Sequence, residues 1–451
     1  MLRVCESVVE PRQHDADTET TMSLSPRQQI ESIVRSLEEN GVSAAPVMEA
    51  TALATSHPKA VADLAIAVMC RFPTGGTFLD GALSYLPQDS WPELIRTALQ
   101  TLEDCHGKND AAVAVIEYAS LQCPSALHPH LDRIFLTRPN ARCDSECYPW
   151  RESGERHFRF LRNVIENSGS TDDDRRRAWA ALCESRHTKL LEYAISRATD
   201  VSPTDWPLNA WVQAHLHLVG FHWENQSFRR VCLDSTYHLQ FPDEFFELQS
   251  RPPWLARIHP TWKLPRTIQT VPFGGAAEGR CSLCGETLHR LFALDPIPPG
   301  LGISRLTRLE IATCLSCLGW ERQPLFYRHQ DEGSPLDIGY DGPPVSPQFP
   351  VGPLRESVIG LAETPRRWFW QSWGCSNSRE NLNRIGGEPS WVQDAEYPGC
   401  PLCDKLMTFL FQLDSDLPTA DGGEWQWGSG GIAYGFWCDE CSVSGLLWQC
   451  T

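Results

Sequence analysis

The first half of the chain carries apolar residues at the period of a helix. Val61, Leu64, Ala65, Val68, Met69 and Phe72 recur at spacings of three and four, which puts them on one face. Ser90-Trp91-Pro92-Glu93 reads as a capping box with proline in the first turn, and Trp91, Leu94, Ile95, Ala98, Leu99 and Leu102 extend it as an apolar stripe. The plan recurs where Thr171 caps a helix through Trp179, Leu182 and Cys183, followed by a stripe of Leu190, Leu191, Ala194, Ile195 and Ala198. A short helix with one apolar stripe cannot bury it alone, so stacked pairs are the economical solution. The pattern predicts a HEAT-like helical-repeat domain over 26–235. No single period aligns the helices, and an irregular helical bundle stands as the alternative.

Past Cys232 the periodicity stops. Tyr237-His238-Leu239-Gln240-Phe241-Pro242 and then Pro252, Pro253, Pro260 and Pro265 break any helix, so 236–270 reads as a linker. From 271 to 451 short apolar runs sit among Gly, Pro, Trp and paired cysteines, as strands do. Between Gly333 and Pro353, 10 of 21 residues are Gly or Pro, which suits a connection between two halves, 271–332 and 354–451. Residues 1–25 show no periodicity and read as a mobile, disordered tail in which Met1 and Met22 both fit as the start. The fold class expected is α+β: helical repeats, then a duplicated β-rich domain with two zinc-ribbon-like sites of four cysteines each.

The paired cysteines carry that last expectation. Cys281/Cys284, Cys314/Cys317, Cys400/Cys403 and Cys438/Cys441 are C-x-x-C pairs, and joining neighbours gives C-x2-C-x29-C-x2-C and C-x2-C-x34-C-x2-C. Two intervening residues let a tight turn aim both sulfurs at one centre, and two such turns complete a tetrahedral thiolate shell for Zn²⁺. Two structural zinc ions are expected, and a closed shell leaves no position for an activated water. Redox pairs or buried structural thiols are the alternative, for which the thioredoxin-like βαβ context is missing. The two halves also match: aligning Cys281–Asp295 with Cys400–Asp414 at an offset of 119 gives seven identities in fifteen positions, and Gly274-Gly275 and Gly386-Gly387 precede them. These are the marks of a duplicated unit.

The second half carries a resemblance in Arg384-Ile385-Gly386-Gly387-Glu388-Pro389-Ser390-Trp391-Val392-Gln393, in Tyr397-Pro398-Gly399-Cys400-Pro401, in Met407–Leu413 and in Gly430–Cys438. These segments resemble the YwqG-like family of bacterial proteins, grouped with the programmed-cell-death-2-like and ribosome-assembly proteins that share its β-rich domain. The resemblance covers about 65 residues well, reaches back weakly to 271 and leaves out the helical half. It implies a β-rich domain and, through eukaryotic relatives that hold a ribosomal protein of the small subunit, a chaperone-like role. Many bacterial members lack the cysteines, so the metal sites rest on spacing.

Composition narrows the remaining classes. At 451 residues with 41% hydrophobic and 21% charged, the chain has room for two or three domains with their own cores. Lys and Arg total 39 against 57 Asp and Glu, a charge of −18 that repels a phosphate backbone over most of the surface and suits a basic protein partner. The N-terminus has no signal-peptide run and no stretch reads as a transmembrane helix, so a cytoplasmic location is expected. Cys143 and Cys147 resemble half of a metal site, with a polar loop preferred. His215, His217, His222 and His238 resemble a ligand set, with ordinary hydrogen-bonded histidines preferred. Trp368, Phe369, Trp370 and Trp373 beside Arg366 and Arg367 would suit stacking on exposed bases, but core packing is preferred, as it is for Trp425, Trp427, Trp437 and Trp448. No G-x-S-x-G, P-loop or H-E-x-x-H motif is present. The reading is a non-catalytic, zinc-stabilised protein-binding module, chaperone-like or neutralising toward its partner, with a nucleic-acid-binding zinc protein or an enzyme with an unrecognised site as alternatives.

Overall fold

A computed structural model describes residues 24–137, 149–202, 207–246, 257–317, 324–338, 345–347, 352–377 and 379–451. The tail reading for 1–25 falls almost wholly outside these residues, as do Cys143 and Cys147. An N-terminal helical region, Pro26 to Leu218, is followed by a large antiparallel β-rich domain. No helix among the described residues is long and apolar enough to cross a membrane.

The helical periodicity maps onto Ala60–Arg71, Trp91–Asp104, Asp172–Glu184 and Thr188–Ser196, each burying its apolar stripe in one core. Thr171 caps as its sequence suggests, accepting from Asp174 N at 3.1 Å. The Ser90 capping box does not form. A 3-10 turn over Gln88–Ser90 runs straight into the helix and leaves Ser90 at φ −90°, ψ −19°, so its hydroxyl cannot reach the first-turn amides. The helix Asp110–Gln122 is buried from Ala111 onward, and Asn109 ties it down by accepting from Ala112 N at 2.9 Å and donating to Met69 O at 3.0 Å.

The strands are β1 (Phe221–Glu224), β2 (Ser227–Arg230), β3 (Thr236–Gln240), β4 (Thr267–Phe273), β5 (Ala276–Arg280), β6 (Thr287–Leu294), β7 (Leu309–Thr313), β8 (Leu325–His329), β9 (Pro335–Asp337), β10 (Ser357–Glu363), β11 (Arg384–Gly386), β12 (Thr408–Asp414), β13 (Leu417–Pro418), β14 (Glu424–Trp425), β15 (Ile432–Cys438) and β16 (Val443–Gln449). Twelve of them form one antiparallel sheet in the order β5-β6-β4-β10-β3-β11-β12-β15-β16-β8-β9, with β7 on β6. The stretch 236–270, expected as a linker, thus supplies β3 to the middle of the sheet, where Leu239 sits opposite Leu361 of β10. Its prolines follow the strand and do not interrupt it. The expected halves are not separate sheets either: β8, from the first, pairs with β16 of the second.

Positions 119 apart meet in the core. Phe292 and Phe411 pack edge to face with centroids 5.0 Å apart. Phe411 also lies over Gly435 of β15, where a Cβ would sit 1.8 Å from the ring, so only glycine leaves room for it. Gly275 N donates to Leu354 O at 2.9 Å and Gly387 N to Ser235 O at 3.0 Å, the two acceptors again 119 apart. Trp425, Trp427 and Trp437 are core residues, as the sequence suggests.

The segment from Thr364 to Asn383 leaves the sheet, enters the helical region and returns. Phe369 and Trp370 join the helical core, Arg367 donates to Ser84 O at 3.0 Å, and Tyr118 donates to Cys375 O at 2.8 Å. Phe369 and Trp370 are thus buried among the helices and not in the β core, whereas Trp373 packs against a β-domain core and Trp368 against Leu264 and Ala362. Trp370 lies under the guanidiniums of Arg151, 5.0 Å away, and Arg366, 4.4 Å away.

Beside this clasp an ion network crosses from helices to sheet. Arg151 Nε bonds Glu184 Oε1 at 2.9 Å with both side chains 2% exposed, Arg186 joins Glu184 to Glu388, and Arg230 reaches Glu388 at 3.5 Å. Burial alone would push the Glu388 carboxyl up, but Arg186 and Arg151 hold it below the usual range. At Glu184 burial wins and the carboxyl is raised.

Removing one partner from such a network strands a buried charge. Glu388→Ala is expected to cost about 3–5 kcal/mol in urea unfolding, whereas Lys59→Ala, which breaks an exposed pair with Asp89, should change stability by less than about 1 kcal/mol. Equal effects would contradict this account.

Burial also holds His238 and His259 neutral, with pKa lowered to about 3. The unfolded chain takes up these protons below about pH 6.5 and the folded one does not, so their contribution is complete above that value and is lost as pH falls toward 3. The urea midpoint should therefore drop between pH 7 and pH 5.

Candidate metal centres

Each site is built from two knuckles at strand ends. The first contains Cys281 and Cys284 between β5 and β6, and Cys314 and Cys317 just past the end of β7. The second contains Cys400 and Cys403 ahead of β12, Cys438 at the end of β15, and Cys441 in the turn to β16. The sheet therefore brings together knuckles that lie 29 and 34 residues apart in the chain.

All eight predicted residues converge as paired. The four sulfurs of Cys281, Cys284, Cys314 and Cys317 lie within 4.8 Å of one another, and so do those of Cys400, Cys403, Cys438 and Cys441. Individual separations are 3.6 Å for Cys281–Cys317, 3.5 Å for Cys284–Cys314 and for Cys314–Cys317, and 3.7 Å for Cys403–Cys438. A sulfur–sulfur bond would be about 2.05 Å long, so these are not disulfides. A tetrahedron with metal–sulfur bonds of about 2.3 Å has edges of about 3.8 Å, close to these four separations. Within the first cluster the sulfurs compete for protons: contacts with Cys314 and Cys317 pull the Cys281 thiol down, while the contact with Cys281 pushes Cys314 up. A cation bound here would take the sulfurs as thiolates and displace their protons to solvent. Both sets can hold a metal ion.

The knuckle backbones are alike. Cys281 N donates to Glu286 O and Gly285 N to Cys281 O, both at 2.8 Å; Cys400 N donates to Lys405 O and Asp404 N to Cys400 O, both again at 2.8 Å. The residue after the second cysteine is left-handed in each, Gly285 at φ +77° and Asp404 at φ +58°. Glycine takes that conformation freely and aspartate is one of the few others that tolerate it.

Three supporting residues carry no recognisable sequence signal. Tyr327 accepts from Cys314 N at 3.2 Å and lies 3.1 Å from Thr313 Oγ1. His289 Nδ1 accepts from Leu315 N at 3.2 Å, and Asp337 accepts from Ser282 N at 2.7 Å. Each is far along the chain from the amide it meets, so only the fold identifies it.

The other histidines stay apart from the sulfurs. His215 lies tilted against Trp211 and bonds its carbonyl at 3.1 Å, His217 and His222 bond each other at 3.0 Å, and His238 bonds Thr364 at 2.8 Å. Apart from the sulfur sets, no group of three or more metal-ligating side chains occurs among the described residues.

Comparison with known proteins adds one relative. The chain is similar to the uncharacterised protein YpfL of Salmonella typhimurium, 39% identical over 208 residues, a match covering 41% of this chain and 42% of the relative. The match thus spans less than half of either protein. No family model matches, and no solved structure does.

Gly285→Ala should cost roughly 1 kcal/mol through its left-handed backbone, and Gly285→Asn distinctly less. Thermal unfolding of the metal-loaded protein checks the order, and equal losses would contradict the backbone account.

Proposed function

We propose that this chain is a non-catalytic protein-binding protein whose β-rich domain is a duplicated module held by two structural zinc ions. The observation that carries the proposal is the pair of complete four-sulfur sets, each sized for a tetrahedral ion. Soft thiolates in tetrahedral array select zinc over the hard cations, and four protein ligands leave no coordination position for a substrate or water. The role of such an ion is to fold and fix the domain. Matching knuckles 119 positions apart and the Phe292–Phe411 contact support duplication.

Protein binding is supported by the helical region, which we read as stacked HEAT-like pairs offering a long surface, and by a charge of −18, which favours a basic partner. Assignment of 271–451 to the YwqG-like family belongs to the same proposal and adds the chaperone-like role of that family's eukaryotic relatives. Burial of Phe369 and Trp370 in the helical core removes the feature that favoured nucleic acid.

Metal analysis of purified protein should give close to two zinc ions per chain. Changing Cys400 and Cys403 to Ser should remove one of them and open the β domain to proteolysis, and metal-free protein with unchanged protease resistance would refute the structural role. Affinity capture followed by mass spectrometry and a high-salt wash should retain one stoichiometric protein; RNA released by that wash would favour the nucleic-acid reading instead.

A further inference from the structure

Strand β8 stands between the two sulfur clusters and packs against both. Leu325 and Tyr327 are buried in the apolar cluster that surrounds Cys281, Cys314 and Cys317, together with Leu283, Leu288 and Ala312. Phe326, between them, points the other way. It packs against the cluster that surrounds Cys400 and Cys438, meeting Met407 over Gly445. Alternation along a strand sends successive side chains to opposite faces, so one strand supplies a wall to each site.

The backbone makes the same connection. Leu325 follows Cys317 by eight positions, and Val443, which opens β16, follows Cys441 by two. These strands pair antiparallel, Leu325 with Leu446, Phe326 with Gly445, Tyr327 with Ser444 and Arg328 with Val443. His329 N donates to Ser442 O at 2.8 Å, beside Cys441, and the His329 ring bonds Ser444 Oγ at 2.8 Å. Tyr327, on that same strand, receives the amide of Cys314. A knuckle released at either site therefore loosens β8, and a loosened β8 uncovers the other site.

We propose that the two four-cysteine sites bind metal as a linked pair, with β8 as the shared wall and Tyr327 and Phe326 as its positioning residues. The inference rests on the metal reading above and adds that neither site has an affinity of its own. Linkage of this kind is reciprocal and typically amounts to about 5- to 150-fold in affinity.

The test is competition of the full-length, zinc-loaded protein against 4-(2-pyridylazo)resorcinol, following zinc transfer by absorbance at equilibrium. The wild type is expected to give up both ions together. Cys284→Ser should weaken the ion held by Cys400, Cys403, Cys438 and Cys441 by roughly 5- to 150-fold, and Cys403→Ser should weaken the first site by the same factor. Should these variants be insoluble, Tyr327→Phe and Phe326→Ala keep all eight sulfurs, and each is expected to lower both affinities together. A remaining ion held at wild-type affinity, or a Tyr327→Phe effect confined to one ion, overturns the linkage while leaving the structural-zinc reading intact. A protein that takes up no zinc fails that earlier reading, and the zinc content measured before competition tells the two failures apart.

Discussion

Four sulfurs confined within 4.8 Å of one another are an arrangement that a chain has little reason to adopt for its own sake. Each cysteine side chain gives up rotamer freedom, and the thiols gain only weak hydrogen bonds in return. A dication changes the balance, because it binds the thiolates with an energy comparable to that of folding a small domain, about 10–16 kcal/mol in zinc-finger peptides. With such an ion bound, the strand ends that carry the knuckles on β6, β7, β12, β15 and β16 would be held together.

The sites were legible in the sequence because their information is local. A C-x-x-C pair must be a turn that aims two sulfurs together, and four such pairs in one region leave few ways to be used. Helices were legible for the same reason where they are amphipathic, as at Val61 to Phe72. Asp110–Gln122 was harder: buried on all sides, it has no polar face to set a period. Proline-rich surroundings hid β3, since nothing in Thr236–Gln240 shows that its partners lie at 361 and 384.

The clasp at 364–383 illustrates what sequence alone could not settle. Trp368, Phe369 and Trp370 beside two arginines suit an exposed stacking surface as well as a buried core, and composition is identical in the two cases. What decides is the apolar core of the helical region, which takes in Phe369 and Trp370. Burying one large aromatic side chain is worth about 1.5–3 kcal/mol, so these two are drawn into it, while Trp368 packs with Leu264 and Ala362. Their arginines then find carbonyls and carboxylates there: Arg367 meets Ser84 O and Leu86 O, and Arg366 pairs with Glu152.

The same contacts place Glu388 where the two parts of the molecule meet. Arg384 is fully buried, and burial lowers its pKa to about 10. Its two terminal nitrogens donate to Phe369 O, Gln371 Oε1 and Ser390 Oγ at 3.0–3.3 Å. Glu388, four positions on, turns instead to Arg186 and Arg230. The Gly386-Gly387 turn between them makes this division possible, bending the chain after β11 so that one charged side chain enters the sheet domain's polar interior while the other faces the helices. A buried charge network adds little net stability over apolar packing, but it is intolerant of misplacement. Placed across the junction, it ties Arg151, Glu184 and Arg186 of the helical region to Arg230 and Glu388 of the sheet domain, while the two sulfur clusters draw strand ends together within the sheet.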